Sequence, residues 1–545
     1  MSTPGIGPEA STVIGRHVGN LSLSPLSEFT MNNHQDQSFG LEVSYIVKDR
    51  HLVTGDGSKR VMSMAVRELV DKLTEVEGFE PNWEDFMELD VSDKRLASLH
   101  MLDEFCKRLV TLDASNNSLA HLDGVPSTVR QLKATHNMLS ELTSWDHLLN
   151  LQYVDVSNNE LHSLAALNNL VHLRSVRADN NRLASLDGLH FHDGLLTLRA
   201  RGNLIEEVDL EGTNLCRLVE LDLCGNNIRH MRNLDQLGSL ETLKLRRNRL
   251  TDLDAVAVLP SLRYLDISDN DVTYLDLAHL PSLRLLHADR NRISRITGFA
   301  RAKRLDSLSL REQRGDDRLD LSFLSAAYEV RKLFLSGNYI GAFEPREMGQ
   351  LMPNLRSLNL NFNAIADVGP LRFIPRLKKL LLAGNRLADS TRVSAVLTEF
   401  PHLTRLDLRD NPITLGFYPP PQAAVVVVDA DGTGTGCGDP FTLPEADAER
   451  DSLFARRVDE ATRLRRRLYH VVFIGSCRRL RVLDGLPVNR KAVLEKDATM
   501  EALVAEGLLP GADCSVVENE APARVAAASK DTDDSSRWGA EDSFA

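Results

Sequence analysis

Cysteine is sparse and scattered in this chain of 545 residues. Cys106, Cys216, Cys224, Cys437, Cys477 and Cys514 form no C-x-x-C pair and no cluster at either end. That pattern speaks against a disulfide framework and for a reducing compartment. Long apolar runs are missing as well. The first residues hold no apolar signal core, and no stretch approaches membrane-spanning length. Positive charge is in deficit: 64 Lys and Arg face 77 Asp and Glu, a net charge of −13. A general nucleic-acid binder is not expected from such a balance. Catalytic patterns are wanting too. The histidines form no H-E-x-x-H or other close ligand pair. GDGSK (55–59) lacks the G-x-x-x-x-G-K-[ST] spacing of a phosphate loop, and no strand precedes it. DADGTG (429–434) starts like a calcium loop, but Pro440 stands where the bidentate glutamate belongs. No enzyme, cofactor, metal site or membrane partner is expected, and the chain reads as cytosolic or nuclear.

What the chain has in abundance is one spacing. L-x-x-L-x-L-x-x-N-x-[L/I/V] recurs from about Leu89 to Ile413, usually 22 residues apart. Its asparagines alone trace it: Asn117, Asn137, Asn159, Asn181, Asn203, Asn226, Asn248, Asn270, Asn291, Asn338, Asn363, Asn385 and Asn411. This is the leucine-rich-repeat signature. It predicts an α/β solenoid with a parallel strand ladder on its concave face. In the copy Leu240–Leu250, Leu240, Leu243 and Leu245 point inward, and Asn248 turns the chain out of the strand. Its amide is placed to satisfy backbone groups that would otherwise be buried unpaired. One unit cannot bury its leucines, but stacked units can. About fourteen units at ~4.8 Å each span roughly 65 Å along the ladder. Two copies depart from the pattern: Lys94 and Gln313 stand where asparagine belongs. RGDDR (314–318) follows Gln313 and the next intervals lengthen, so a local loop or kink is expected there.

Solenoids need covered ends. Residues 1–58 are rich in Ser, Gly, Asn and Gln and read as disordered. Met62, Val66, Leu69 and Leu73 then follow helical spacing. With Trp83 and Phe86 they predict an N-terminal cap over 59–88, with the repeats over 89–417. YPPPQ (418–422) opens an inserted loop to about residue 452. Phe454, Val458, Leu464, Leu468 and Val472 recover helical spacing, and 453–510 is expected to be a C-terminal cap. The polar tail 511–545 reads as disordered.

Period-2 geometry decides what the strand face displays. In the first half one column runs Asp113, Lys133, Asp155, Arg177, Arg199, Asp222, Lys244 and Asp266. Mostly opposite neighbours imply a self-neutralised ladder, each pair worth roughly 0.2–1 kcal/mol. In the second half the column becomes Ser309, Phe334, Asn359, Leu381 and Asp407. Lys332, Lys379 and Arg405 flank it on one side, and Arg311 and Arg409 on the other. Apolar Phe334 and Leu381 inside a basic rim suggest a protein-partner site, with both side chains outward and neither filling the core. The competing reading is that the chain's own inserted loop covers this end of the arc.

Some stretches lie outside the repeat: SPLSEFT (24–30), QDQSFGLE (35–42), GFEPNWEDFMELDVS (78–92) and VDEATRLRRRLYHVVFIGSCRRLRVLDGL (458–486). Within it lie LTSWDHLLNLQYVDVSNN (142–159), SLSLREQRGDD (307–317) and LNLNFNAIADVGPLRFIPRLKKLLLAGNRL (358–387). Together they resemble one family, the fungal spindle-pole-body scaffolds of the mitotic-exit and septation-initiation networks, relatives of animal centriolin. The resemblance runs from residue 21 to about 510. It implies a non-enzymatic scaffold that brings a spindle-pole anchor, GTPase regulators and kinases together for mitotic exit and cytokinesis. Members of that family carry a long N-terminal half, whereas some 58 residues precede the cap helix here. The resemblance therefore implies anchoring and partner binding by the array, with a shortened kinase-recruiting segment. The alternative from the repeats alone is a regulatory subunit of a cytosolic or nuclear protein phosphatase. Ser24-Pro25 is a minimal proline-directed phosphorylation site, and Ser24 is a candidate for modification.

Overall fold

A computed structural model describes residues 44–46, 52–54, 64–76, 80–252, 259–315, 317–342, 352–420 and 441–494. Ser24, GDGSK and DADGTG fall outside the described residues, as does the tail 511–545; within the N-terminal segment expected to be disordered, Ser44–Ile46 and Leu52–Thr54 pair antiparallel, so a strand does precede GDGSK. The chain divides into two compact units, 1–489 and 490–545, and everything discussed below lies in the first. Its frame is one parallel ladder of three-residue strands. It begins at Glu88–Asp90 and Thr111–Asp113 and runs through Lys332–Phe334, Ser357–Asn359 and Lys379–Leu381 to Arg405–Asp407. Val482–Leu483 pairs in parallel with Arg405–Asp407, and Leu486–Pro487 then closes the end antiparallel. The middle residue of each strand points into the core: Leu112, Leu132, Val154, Val176, Leu198, Leu221 and Leu243 are all buried. Fully burying one such side chain stabilises by about 1.5–3 kcal/mol. The return path is made of short 3₁₀ turns such as Ala165–Leu167, Leu234–Gln236 and Leu277–His279. Elsewhere it carries the paired strands Glu207–Asp209 with His230–Arg232 and Tyr274–Asp276 with Arg295–Thr297, and before Arg405–Asp407 the helix Ser390–Leu397.

The asparagines hold consecutive coils to each other. Asn248 Nδ2 donates to the carbonyls of Leu223 and Leu245, both at 3.0 Å, and its Oδ1 accepts from the Ile228 amide at 3.0 Å. Leu223 and Ile228 belong to the preceding coil. The same arrangement recurs at Asn117, Asn159, Asn270 and Asn385. Gln313 does the same work from a longer side chain. Its Oε1 accepts from the Ile293 amide at 3.0 Å and its Nε2 donates to the Ala288 carbonyl at 2.9 Å. The ladder passes this point in register, Ser307–Ser309 against Lys332–Phe334, so the expected kink is absent from the strand face. The added residues sit on the return path, which carries the turn Leu321–Ser325. Lys94, the other exception, reaches Glu75 of the cap helix at 3.2 Å.

The N-terminal end is covered by the helix Met64–Val76, which buries Val66, Leu69 and Leu73. Trp83 is buried behind it, edge-on to Phe105 at 5.9 Å. At the other end two helices, Ala448–Arg457 and Glu460–Ser476, follow the inserted segment. The second packs against the helix Ser390–Leu397. Its buried face is Thr462, Arg466, Tyr469, Phe473 and Ile474, while Leu464 is exposed. The apolar spacing Leu464, Leu468, Val472 pointed to the wrong face. Polar groups claim the inner one because each finds a partner there. Arg466 meets Asp451 at 2.5 Å and lies over the Tyr418 ring. Tyr418 and Tyr469 both donate to Asp484 Oδ2 at 2.6 Å, while Asp484 Oδ1 accepts from the Leu408 amide at 2.6 Å. Asp484 thereby ties strand, loop and cap helix at one buried carboxylate.

Two measurements check this reading. Leu243→Ala should destabilise by about 2–5 kcal/mol through lost burial and a residual cavity. Asn248→Ala should cost about 1–3 kcal/mol by stranding the Leu223, Leu245 and Ile228 groups. Unchanged denaturation midpoints would contradict the register. The cap makes a pH prediction. Burial, with the Arg466 charge, lowers the His470 pKa from 6.5 to about 4. The unfolded chain therefore binds this proton between those values and the folded chain does not, so the contribution is full above 6.5 and is lost as pH falls toward about 4. Burial and the Asp407 charge raise Asp484 from 3.8 to about 6. Its contribution is complete below 3.8 and is lost as pH rises through about 6. The two slopes oppose each other. In Asp484→Asn, stability should rise with pH between about 4 and 6, by up to about 1.4 kcal/mol per unit relative to the native chain. In His470→Gln it should fall over the same range. Parallel midpoint-versus-pH curves for the two variants would refute the assignment.

Candidate protein-interaction face

In the first half the strand face neutralises itself, although not only along the expected column. Lys133 meets Asp113 at 3.7 Å, and Lys244 meets Asp222 at 3.6 Å and Glu220 at 2.8 Å. Arg199, however, turns to Asp179 at 2.6 Å, and Asp222 takes Arg201 at 2.6 Å. Asp155 accepts from Ser157 at 2.7 Å. A second column, two residues further along each coil, supplies these partners; its Arg246 meets Asp269, one residue beyond that column, at 3.0 Å, and its Arg311 and Asp289 meet at 3.5 Å. Arg177 and Arg199 are adjacent in register and like-charged, so a one-column reading could not balance them.

In the second half the chain returns across its own strands. The Phe441 carbonyl accepts from Asn361 Nδ2 at 3.0 Å and from Asn359 Nδ2 at 3.5 Å. Arg290 and Arg311 lie over the Phe441 ring at 5.3 and 5.0 Å, and Arg311 lies over the Phe334 ring at 4.7 Å. Further along, Arg409 donates to the Pro444 carbonyl at 2.8 Å and to that of Leu443 at 3.3 Å, and Arg405 meets Glu445 at 3.1 Å. Residues 441–445 therefore cross the strand Lys379–Leu381, which is paired between Asn359 and Asp407. Leu381, expected to face solvent, is only 3% exposed. Arg409, expected on the basic rim, is 7% exposed and bound to Asp407 through two nitrogens, at 2.6 and 2.9 Å. Phe334 is half-buried, as are Arg311, Lys332, Lys379 and Arg405. The apolar centre is thus roofed from within. Gly485, at φ +80, lets this packing close: a Cβ there would lie 2.8 Å from the Ala446 nitrogen and 3.2 Å from Arg409 Cζ.

Arg409 was expected as an open rim residue, not in a buried pairing with Asp407, and neither Phe441 nor Asn361 was picked out as a site residue. Asn361 sits in a column filled elsewhere by Ser, Thr, Asp and Arg, which hides it. The YPPPQ-to-Pro444 interruption was the available signal. It implied a loop, but a loop's landing place depends on contacts some eighty residues apart in sequence, which no local pattern encodes.

This geometry is that of a binding array, and the comparisons agree. A leucine-rich-repeat family model matches residues 216–272 and 238–293, and a second matches 352–369 and 401–415. The septation initiation network scaffold protein cdc11 of Schizosaccharomyces pombe is 35% identical over 457 residues, covering 79% of this chain and 44% of that protein. The chain belongs to the leucine-rich-repeat proteins and is a relative of the fungal septation scaffold. Human podocan-like protein 1 is 33% identical over 190 residues, 33% of this chain and 36% of that protein. The chain spans less than half the length of either relative. A solved leucine-rich-repeat protein of Leptospira interrogans shares the fold, with a TM-score of 0.53 and 24% identity over 61% of this chain and 86% of that one. No described helix is long and apolar enough to cross a membrane.

The roof over Leu381 can be tested directly. Leu381→Asp should destabilise the protein by about 2–5 kcal/mol, because it buries a carboxylate with no donor prepared for it. Phe441→Ala should cost only about 1–2 kcal/mol in lost cation–π and apolar contact, while making the 441–446 segment more sensitive to limited proteolysis. A Leu381→Asp variant as stable as the native chain would mean that the roof is not seated in solution.

Proposed function

We propose that this protein is a non-enzymatic scaffold for fungal septation and mitotic-exit signalling, held at the spindle pole body, where it gathers GTPase regulators and kinases. The observation that carries this reading is the reach of the similarity to the fission-yeast scaffold. It covers 79% of the chain, more than the ladder's span of residues 88–407 occupies. The likeness must therefore include segments that repeat periodicity does not dictate. An alignment of 190 residues, as with podocan-like protein 1, is short enough for repeats alone to supply. The same reach disfavours the phosphatase-subunit alternative, which rested on the repeats alone. A solenoid also suits scaffolding physically, because it exposes a long surface on a frame whose stability is spread over many coils.

Partner-binding residues are proposed at the border of the roofed face: Phe334 with Arg311, and Lys332, Lys379 and Arg405 beside it. A partner that reached Leu381 or Arg409 would first have to displace residues 441–445. Ser24 is proposed as a phosphorylation site in the segment before the cap. A fluorescently tagged copy expressed in a dividing fungal cell tests the reading as a whole. Paired foci at the spindle poles through mitosis are expected. A diffuse nuclear signal at every stage would overturn it in favour of the phosphatase subunit.

A further inference from the structure

The lateral edge of the ladder, where each coil enters its strand, changes character along the array. The residue just before each strand stacks on its counterpart in the next coil through a regular backbone bond. Arg356 N donates to Arg331 O, Lys378 N to Arg356 O, Thr404 N to Lys378 O and Arg481 N to Thr404 O, each at 2.8 Å. This column thus presents Arg331, Arg356, Lys378 and Arg481, all exposed. Lys332, Lys379 and Arg405 run beside it in the strands themselves. Asp306 is engaged by Arg331 at 3.3 Å and Glu445 by Arg405 at 3.1 Å. Before Arg331 the same column reads Val110, Arg130, Gln152, Arg174, Leu196, Val219, Glu241, Arg263, Arg284 and Asp306, so uncharged or acidic members interrupt its arginines and no three in a row are basic. Among the described residues, Arg356, Lys378 and Arg481 meet no carboxylate at ion-pair distance.

We propose that this strip, centred on Arg356, Lys378 and Arg481, is a docking site for an acidic segment of a partner protein, rich in Asp, Glu or phosphoserine. Four ladder steps at ~4.8 Å give a track of about 19 Å, the length of roughly six residues of extended chain at 3.3 Å each. Two guanidinium groups flank the Lys378 ammonium along it, and guanidinium forks match carboxylate and phosphate oxygens in pairs. The strip is narrow, and the chain around it carries a net charge of −13. A long polyanion such as a nucleic acid would meet repulsion beyond the strip, whereas a short acidic segment would not. The inference rests on the scaffold reading for the class of partner only; the strip itself is a feature of the fold.

The test is fluorescence polarisation with the purified full chain and a labelled peptide of alternating Asp and Ser. A phosphoserine version, a short oligo-dT and phosphatidylserine vesicles run in parallel. The peptides should bind, and more weakly as salt is raised. Arg356→Glu, Lys378→Glu and Arg481→Glu combined should weaken them by about tenfold or more. Arg130→Glu with Arg174→Glu, exposed in the same column of the other half, should change binding by less than about twofold. Circular dichroism melting confirms that each variant is folded. Lys378→Gln alone serves should the triple variant unfold, and should still weaken binding measurably. Peptide affinity unchanged in these variants would overturn the proposal, as would oligo-dT or vesicles binding more tightly than either peptide through the same residues. Spindle-pole foci that persist alongside failed peptide capture would sink the strip and leave the scaffold reading standing. Absent foci with intact peptide capture would do the reverse.

Discussion

Every other feature depends on how the asparagine amides are satisfied. A three-residue strand makes few backbone bonds of its own, and the sharp turn after it leaves carbonyls and amides facing the core. An unpaired buried group of this kind costs about 1–3 kcal/mol, and the penalty would recur in every coil. One side chain per repeat removes it by donating to two carbonyls and accepting from an amide of the coil before, as Asn248 does. Because each amide spans two coils, the bonds that satisfy one coil also set its register on the next. Gln313 shows that the requirement is chemical: a longer amide reaches the same two groups of the preceding coil.

That constraint dictates what remains for binding. Register being uniform, columns of side chains line up ~4.8 Å apart, close enough for neighbours to pair. On the concave face they do, through two adjacent columns that each carry both signs in the first half and through the returning segment 441–445 in the second. A surface whose charges are already paired offers a partner little electrostatic gain, because binding must break one set of contacts to make another. Among the described residues, charge without an ion-pair partner survives instead at the lateral edge, at Arg356, Lys378 and Arg481.

How far the sequence could be read follows from the range of each interaction. The repeat, its register and the role of Asn248 were legible because they recur at one spacing and act between adjacent coils. The cap helix at Val66, Leu69 and Leu73 was legible from apolar period alone. Leu381 was misjudged for the opposite reason: its position in the strand was right, but its cover comes from residues sixty positions further on. The face of Glu460–Ser476 was misjudged because Arg466 and Tyr469 are buried polar groups. Hydrophobic period cannot find them, since their burial depends on Asp451 and Asp484 waiting across the interface.

The long jump between the last two parallel strands links these observations. Arg405 pairs in register with Val482, so two neighbouring strands of the ladder lie more than seventy residues apart in sequence, yet the backbone bond pattern between them is unbroken. A ladder that resumes after such an excursion must be told where to resume. Asp484 supplies that instruction, because its carboxylate is satisfied only when the Leu408 amide, the Tyr418 hydroxyl and the Tyr469 hydroxyl converge on it. The same convergence seats residues 441–445 over Leu381, through Arg409 and the close approach at Gly485, and stacks Arg481 onto the basic column. Roof, cap and strip are therefore coupled through one buried carboxylate.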